Sequence, residues 1–194
     1  MLQNNGMRPP TQLEAIERAT LELGFDMPSE RDTGALLRVL AAGKPAGQFL
    51  ELGTGTGLAT AWLLDGMDSA SRLHTVDIDG DVVAVAERLL GKDPRVEFVV
   101  GDAIAWLENN KGLSFDLIFA DAMPGKYERF ETAWERLKPG GLYVADDMLP
   151  QRNWPEGHGE RVAGLLAHLG QRTDCRLVEM AWSSGLGIAA KSAD

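Results

Sequence analysis

Two patterns of apolar residues alternate along this chain. Short runs of consecutive apolar residues are typical of buried strands, and apolar residues at every third or fourth position are typical of amphipathic helices. The first pattern predicts strands at residues 49–52, 73–80, 96–100, 115–120, 142–145, 176–182 and 186–190. The second predicts helices at residues 13–23, 60–64, 82–90, 103–107, 127–137 and 161–169, and one more after Ser29.

This order of elements predicts an α/β fold with a seven-stranded, mostly parallel sheet and helices on both faces. The two helices ahead of the first strand are expected to form a cap, residues 11–46, within a single domain of residues 11–194. Residues 1–10 are expected to be a flexible tail, because Pro9 and Pro10 disfavour a helix there. Ligands of such sheets bind beyond the carboxyl ends of the strands, so functional residues are expected at those ends.

The amino-acid composition limits the kinds of partner that this protein is expected to bind. A net charge of −10 over 194 residues argues against nucleic acid, which needs clustered Lys and Arg, and favours a small molecule. No apolar run approaches the roughly 20 residues that span a bilayer, so no membrane partner is expected. The first residues lack the pattern of a secretory signal, and Cys175 is the single cysteine, so a cytoplasmic protein without disulfides is expected.

The most informative stretch is the segment E-L-G-T-G-T-G at residues 51–57, which lies between the first predicted strand and a helix. Glycines allow a tight turn there, and the amides at the helix start can hold an electron-rich group. A dinucleotide fingerprint G-x-G-x-x-G beginning at Gly53 would need glycine at the position of Leu58, so this spacing disfavours an NAD-linked oxidoreductase.

The same segment resembles the first motif of class I S-adenosylmethionine-dependent methyltransferases, which have a Rossmann-like fold. The resemblance implies that the loop wraps the amino-acid end of the cofactor and that Glu51 faces its ammonium group. The loop residues implied as cofactor ligands are Gly53, Thr54, Gly55 and Gly57.

Two acidic residues further along extend the cofactor site. Asp77 lies in the carboxyl-terminal half of the second predicted strand, about 20 residues past the glycine loop, the interval at which a βαβ unit delivers a carboxylate to a ribose, and Ile78 follows it. Asp77 could instead cap the helix at residues 82–90 together with Asp79 and Asp81, of which Asp81 is the expected cap. Asp102 and Ala103 take the place that reads the adenine edge in the resembling enzymes, although Asp102 could be a simple N-cap.

The segments F-D-L-I-F-A-D-A and L-K-P-G-G-L-Y-V-A-D-D resemble the catechol and caffeoyl-CoA-type O-methyltransferase branch. That resemblance implies a divalent cation held by Asp121, Asp146 and Asp147, and carboxylate oxygens suit Mg²⁺. Such a cation would acidify and orient an acceptor hydroxyl. Alternatively, Asp121 contacts only the cofactor, while Asp146 and Asp147 cap a loop.

The candidate catalytic residues are His158, Lys126 and Asp121. The resembling enzymes have a lysine three residues after the first acid, where this chain has Pro124; Lys126 either reaches the same space or is a solvated charge. His158 lies in the loop after the fifth strand and has the intrinsic pKa of a general base near neutrality, but a loop histidine is more often structural or solvated.

These features predict an enzyme that transfers a methyl group from S-adenosylmethionine to a small-molecule hydroxyl, with possible assistance from a divalent cation such as Mg²⁺. A metal-independent N- or O-methyltransferase is the alternative. An NAD-linked oxidoreductase ranks lower, because glycine is missing at the position of Leu58 and Glu51 is present. A cofactor-binding protein without catalysis stays an alternative, since a shared fold is poor evidence for a reaction. A homodimer is possible, and no residue pattern identifies the acceptor.

Overall fold

The computed structural model describes residues 8–193. The helices are α1 (Leu13–Leu23), α2 (Arg31–Ala42), α3 (Leu58–Gly66), α4 (Gly80–Leu90), α5 (Ala103–Asn109), α6 (Phe130–Trp134) and α7 (His158–Gln171). The strands are β1 (Gln48–Leu52), β2 (Arg72–Asp77), β3 (Val96–Val100), β4 (Phe115–Ala120), β5 (Leu137–Ala145), β6 (Cys175–Met180) and β7 (Leu186–Lys191).

The strands form one sheet in the order β3-β2-β1-β4-β5-β7-β6. The first five are parallel, whereas β7 runs antiparallel to both β5 and β6. The order reverses next to β1, so β1 and β4 are the strands at the topological switch point, where ligands of such sheets bind. The predicted α/β fold with a mostly parallel seven-stranded sheet is confirmed.

Apolar residues pack on both faces of the sheet, as parallel strands require. On one face, α5, α6 and α7 cover β4 and β5, with Trp134 and Tyr143 fully buried. On the other face, α1, α2 and α3 pack around Trp62. The two N-terminal helices therefore share the core of the sheet domain.

The cap also contacts the loops at the strand ends. The Thr20 hydroxyl in α1 lies 2.7 Å from the Thr56 hydroxyl in the glycine loop, and Trp182, after β6, donates to the backbone oxygen of Asp32 in α2 at 2.9 Å. Of the predicted tail, residues 1–7 lie outside the described residues. In its remaining part Pro10 is buried and the backbone oxygen of Arg8 accepts from Arg38.

The predicted helix at residues 127–137 is wrong in extent. Arg129 has a left-handed backbone, α6 covers only Phe130–Trp134, and Leu137 already pairs with Phe115 in the sheet. The register then shifts between Phe115 and Leu117, so the Lys-Pro-Gly-Gly segment at residues 138–141 lies within β5 instead of ending a helix. Apolar spacing alone could not distinguish these outcomes, because Leu137 is buried in either.

Within residues 8–193, none of the helices is both long and apolar enough to cross a membrane.

Candidate functional site

The predicted site residues lie at the carboxyl ends of the parallel strands. The glycine loop, residues 53–57, follows β1, and Asp77 and Asp102 follow β2 and β3. These residues are called the glycine-loop rim below. Asp121 follows β4, and Asp146 and Asp147 follow β5. Together with Lys126 these three acids are called the acidic rim.

The two rims meet at Gly53. Its φ is +99°, and a Cβ there would lie 2.6 Å from the backbone oxygen of Asp121, so only glycine allows this approach. The amide of Gly53 donates to Val76 at 2.9 Å, and the amide of Asp121 donates to Leu52 at 2.8 Å. The glycine therefore serves the packing of β1 between β2 and β4, and brings Asp121 next to the loop.

Glu51 is fully buried beneath the glycine loop. Its Oε2 accepts hydrogen bonds from Thr60 at 2.5 Å and Thr75 at 2.6 Å, while Oε1 has no hydrogen-bond partner. Burial, which outweighs the two threonine hydrogen bonds, raises the pKa of Glu51 to about 7. An unpartnered buried carboxylate oxygen is costly, so Oε1 is a candidate acceptor for a positively charged group.

Asp77 links β2 to the glycine loop. Its Oδ2 accepts from the amide of Gly55 at 2.9 Å, and its Oδ1 accepts from the amide of Asp79 at 3.0 Å. Asp79 itself is the N-cap of α4 and accepts from the amide of Asp81 at 3.0 Å, so the prediction that Asp81 caps this helix is wrong. Ile78 is 75% exposed beside Asp77 and leaves an apolar surface at the rim.

Asp102 is the N-cap of α5, with Oδ1 accepting from the amide of Ala105 at 2.7 Å. Ala103, the first residue of that helix, is buried. A capping carboxylate retains lone pairs, so this finding leaves a second role for Asp102 as a prediction.

Asp146 is buried in the acidic rim, the side chain of Asp121 is 14% exposed, and both accept hydrogen bonds from serines outside β4 and β5. Ser29, in the segment before α2, donates to Asp121 Oδ2 at 3.0 Å. Ser184, before β7, donates to Asp146 Oδ1, which also accepts from the amide of Asp147 at 2.8 Å. Asp147 has a left-handed backbone with φ of 59°.

Burial dominates the charge state of these acids. It raises the pKa of Asp121 well above the usual range, with Asp146 adding to the rise, and it raises the pKa of Asp146 to about 6. The pKa of Asp147 is also raised by burial, while the charge of Lys126 opposes the rise.

Lys126 reaches the acidic rim and is not a solvated charge. Its side chain is only 4% exposed, and Nζ donates to the backbone oxygen of Asp146 at 3.1 Å and lies 3.9 Å from Asp121 Oδ1. The turn depends on Gly125, whose φ is 78° and where a Cβ would lie 2.5 Å from Leu52 Cδ1. Of the two alternatives for Lys126, a side chain that reaches the acids and a solvated charge, the structure supports the first.

His158 is the first residue of α7. Its Nε2 lies 3.2 Å from the Tyr127 hydroxyl, its ring packs on Trp154 with centroids 4.5 Å apart, and its Nδ1 is buried without a partner. Burial lowers the pKa of His158, Lys126 lowers it further, and Asp147 raises it. A neutral imidazole at pH 7 can accept a proton.

The divalent cation is not supported by the donor geometry. Among the residues that the structure describes, no group of three His, Cys, Asp or Glu side chains is arranged to hold a metal ion. Donors already occupy Asp121 Oδ2 and Asp146 Oδ1, and an ammonium group lies against Asp121 Oδ1. The residues of the acidic rim therefore do not fit a divalent cation in this arrangement.

Several contact residues of the site were not identified from the sequence, and three of them lie in distant loops. Ser29 and Ser184 bind the acidic rim, and Phe25 lies 3.3 Å from the position of a Cβ on Gly55. Each belongs to a loop far along the chain from the residue that it contacts. The only signal in the sequence was their position in loops at the strand ends or next to the cap helices.

Comparison with known proteins identifies related chains. A family model described as a methyltransferase domain matches residues 50–148, just over half of the chain. A catechol O-methyltransferase of Niastella koreensis is 36% identical over 124 residues, which are 60% of this chain and 56% of that protein. The chain spans between 51% and 66% of the length of the curated relatives that it matches.

Solved structures show the same fold. The O-methyltransferase of Bacillus cereus in complex with SAH has a TM-score of 0.84 at 18% identity, covering 96% of this chain and 93% of that one. The O-methyltransferase TomG of Streptomyces achromogenes, which is involved in tomaymycin synthesis, was solved in complex with SAM. Its TM-score is 0.81 at 22% identity, and the match covers 97% of this chain and 92% of that one. At these identities the likeness establishes the fold alone.

Proposed function

The chain belongs to the methyltransferase domain family, and on that premise we propose that it transfers a methyl group from S-adenosylmethionine to a hydroxyl oxygen of a small molecule. The observation that carries this proposal is the hydrogen bond of 2.9 Å from the Gly55 amide to Asp77, which joins the glycine loop to the carboxylate at the end of β2. The catechol O-methyltransferase relative supports a hydroxyl as the acceptor group.

The residues of the glycine-loop rim fit the cofactor. Glu51 would offer its unpartnered carboxylate oxygen to the ammonium group, and the loop residues Gly53, Thr54, Gly55 and Gly57 would surround the amino-acid end. Asp77 would accept from the ribose hydroxyls beside Ile78, and Asp102 with Ala103 would lie at the adenine edge. Asp121 closes this site from the end of β4, since its backbone contacts Gly53.

S-adenosylmethionine supplies a methyl group on a positively charged sulfur. A lone pair of the acceptor oxygen forms the new C–O bond, while the electron pair of the broken C–S bond stays on sulfur. The acceptor hydroxyl must lose its proton in the same process. We assign that proton to His158, because its buried Nδ1 has no partner and its lowered pKa keeps the ring neutral at pH 7. Tyr127 holds the other ring nitrogen in place.

The proposed reaction uses no divalent cation. Mg²⁺ held by Asp121, Asp146 and Asp147 was the prediction from sequence, but the hydrogen bonds of Ser29 and Ser184 and the ammonium group of Lys126 argue against it. The metal-independent alternative is therefore the form of the proposal that the contacts favour. A cytoplasmic location, a possible homodimer and the absence of nucleic-acid partners stay predictions.

Turnover with a simple acceptor tests the function. Purified protein would be incubated with S-adenosylmethionine and catechol, and formation of SAH and of the methyl ether would be followed by mass spectrometry. His158→Gln should lower the rate about 100-fold, the usual contribution of a general base, and leave S-adenosylmethionine affinity unchanged. His168→Gln, in the exposed part of α7, is the matched control. Equal rates for wild type and His158→Gln would remove His158 from the reaction.

A further inference from the structure

Lys126 is a buried cation. Lysine is almost never buried unless it is paired, because a desolvated ammonium group is costly. The side chain of Lys126 is only 4% exposed, and its partners are the backbone oxygen of Asp146 at 3.1 Å and the carboxylate of Asp121 at 3.9 Å. The ammonium group therefore lies between the end of β4 and the end of β5.

The backbone of the loop after β4 directs this side chain inward. The backbone oxygen of Met123 accepts from the amides of Tyr127 and Glu128 at 3.0 Å each, and the amide of Gly125 donates back to Glu128 at 2.7 Å. The Tyr143 hydroxyl in β5 donates to the oxygen of Gly125 at 2.7 Å. A closed turn attached to β5 thus holds Lys126 beside the acids.

The acids offer few oxygens to a metal. Mg²⁺ requires near-octahedral oxygen ligands at about 2.1 Å. In this structure Ser29 donates to one oxygen of Asp121, Lys126 faces the other, and Ser184 and the Asp147 amide donate to one oxygen of Asp146. A dication at this position would compete with these donors for the carboxylate oxygens and lie close to the like charge of Lys126.

We propose that the Lys126 ammonium group is the resident cation of the acidic rim, in the position expected for a divalent metal, and that the site works without one. The inference rests on the proposed methyl transfer for its catalytic meaning, but the identity of the cation is a separate property. Lys126 acts through Asp121 and Asp146 and is a positioning residue: its charge lies 3.9 Å from the Asp121 carboxylate, and its hydrogen bond holds the backbone oxygen of Asp146.

Manganese binding tests this inference without an acceptor. Wild type, Lys126→Met and Lys138→Met would be titrated with Mn²⁺ and followed by electron paramagnetic resonance of the free ion. Lys138 is the matched control, because it lies outside the acidic rim. Its Nζ is 2.7 Å from Asp116 Oδ2, and its side chain is 35% exposed. We expect no binding by wild type or Lys138→Met up to about 1 mM, and at least about tenfold tighter binding by Lys126→Met.

Wild-type binding of Mn²⁺ below about 0.1 mM, displaced by Mg²⁺, would overturn the inference. If Lys126→Met fails to fold, the wild-type titration still decides the question. Metal affinity gained by Lys126→Met and abolished in Lys126→Met/Asp146→Asn would support the inference, because loss of a merely structural lysine creates no metal site.

Calorimetry with S-adenosylmethionine in EDTA separates the two proposals. Binding in EDTA that Mg²⁺ leaves unchanged agrees with both proposals. Binding of S-adenosylmethionine that appears only after Mg²⁺ is added would overturn the proposal that Lys126 is the resident cation, and would leave the proposed function in place. No binding under any condition removes the proposed function, while the Mn²⁺ titration still decides which cation the acidic rim contains.

Discussion

The carboxylates of the glycine-loop rim and those of the acidic rim occupy similar places in the chain but make different contacts. Asp77 is the last residue of β2, Asp102 lies two residues after β3, and both accept from backbone amides. Asp121 and Asp146 directly follow β4 and β5, are at most 14% exposed, and accept from serine hydroxyls of distant segments, with Lys126 beside them. The acids of the glycine-loop rim therefore hold backbone amides in place, and the acids of the acidic rim form a cluster with Lys126.

The difference follows from what comes after each strand. Helices α4 and α5 begin almost at once after β2 and β3, so Asp79 and Asp102 become their N-caps. Loops follow β4 and β5, so Asp121 and Asp146 cap no helix and can accept hydrogen bonds from side chains instead. Identical residue types at equivalent strand ends can therefore have separate chemistry, which depends on the element that follows.

The largest effect is expected at the cation of the acidic rim. Lys126→Met leaves the Asp121 carboxylate without its ammonium partner and the backbone oxygen of Asp146 without its donor, and breaking a buried ion pair in this way costs about 3–5 kcal/mol. The free energy of unfolding, measured by urea denaturation at pH 7, should fall by that amount. Lys138→Met removes a partly exposed pair and should cost no more than about 1 kcal/mol. Equal losses in the two variants would contradict a buried cation at the centre of the acidic rim.

The second prediction concerns Glu51, the buried acid beneath the glycine loop. Its pKa is raised from 4.5 to about 7, so the folded state holds a proton that the unfolded state releases. This contribution to stability is fully present below pH 4.5 and is lost as the pH rises to the folded pKa of about 7. The loss amounts to about 3 kcal/mol at 1.36 kcal/mol for each pKa unit.

Glu51→Gln removes that titration. Urea denaturation at a series of pH values should show a shallower fall in unfolding free energy for the variant than for wild type between pH 4.5 and about 7. Other acids contribute equally to both curves, so the difference between the curves isolates Glu51. Parallel curves would mean that Glu51 is ionised in the folded protein throughout this range.

The third prediction concerns Asp77 in the glycine-loop rim. Asp77→Ala removes the carboxylate that binds Gly55 and is proposed to accept from the ribose, and hydrogen bonds to a charged group contribute enough for a loss of about 10- to 100-fold in S-adenosylmethionine affinity. Calorimetry measures the loss. Asp79→Ala, which removes only the cap of α4, should retain the affinity. Equal affinities for Asp77→Ala and wild type would exclude the ribose role.

The smallest effect is expected at Asp102, where two roles can be separated. Asp102→Ala should lower the unfolding free energy by about 1 kcal/mol, because the cap of α5 is lost. Asn caps as well as Asp, so Asp102→Asn should retain stability and change only contacts that need a carboxylate. Weaker S-adenosylmethionine binding by Asp102→Asn in calorimetry would support the adenine role; unchanged binding would leave Asp102 as a cap.

The sequence predicted the elements whose signals are local. The ends of β4 and β5 before Asp121 and Asp146 were located correctly, because apolar runs followed by acids are visible in the chain, whereas the predicted second strand, residues 73–80, extends past Asp77 into the start of α4. The burial of Lys126 was not decided, because it depends on the left-handed turn at Gly125 and on Tyr143 in β5. Contacts across long separations, such as Ser29 with Asp121, carry no local signal.

The most direct test of the central claim is calorimetric titration of the wild-type protein with S-adenosylmethionine in buffer containing EDTA. The glycine-loop rim and the internal cation of the acidic rim together predict binding in the micromolar range that added Mg²⁺ does not change. Absence of binding up to about 1 mM, with or without Mg²⁺, would contradict the assignment of this protein as a methyltransferase.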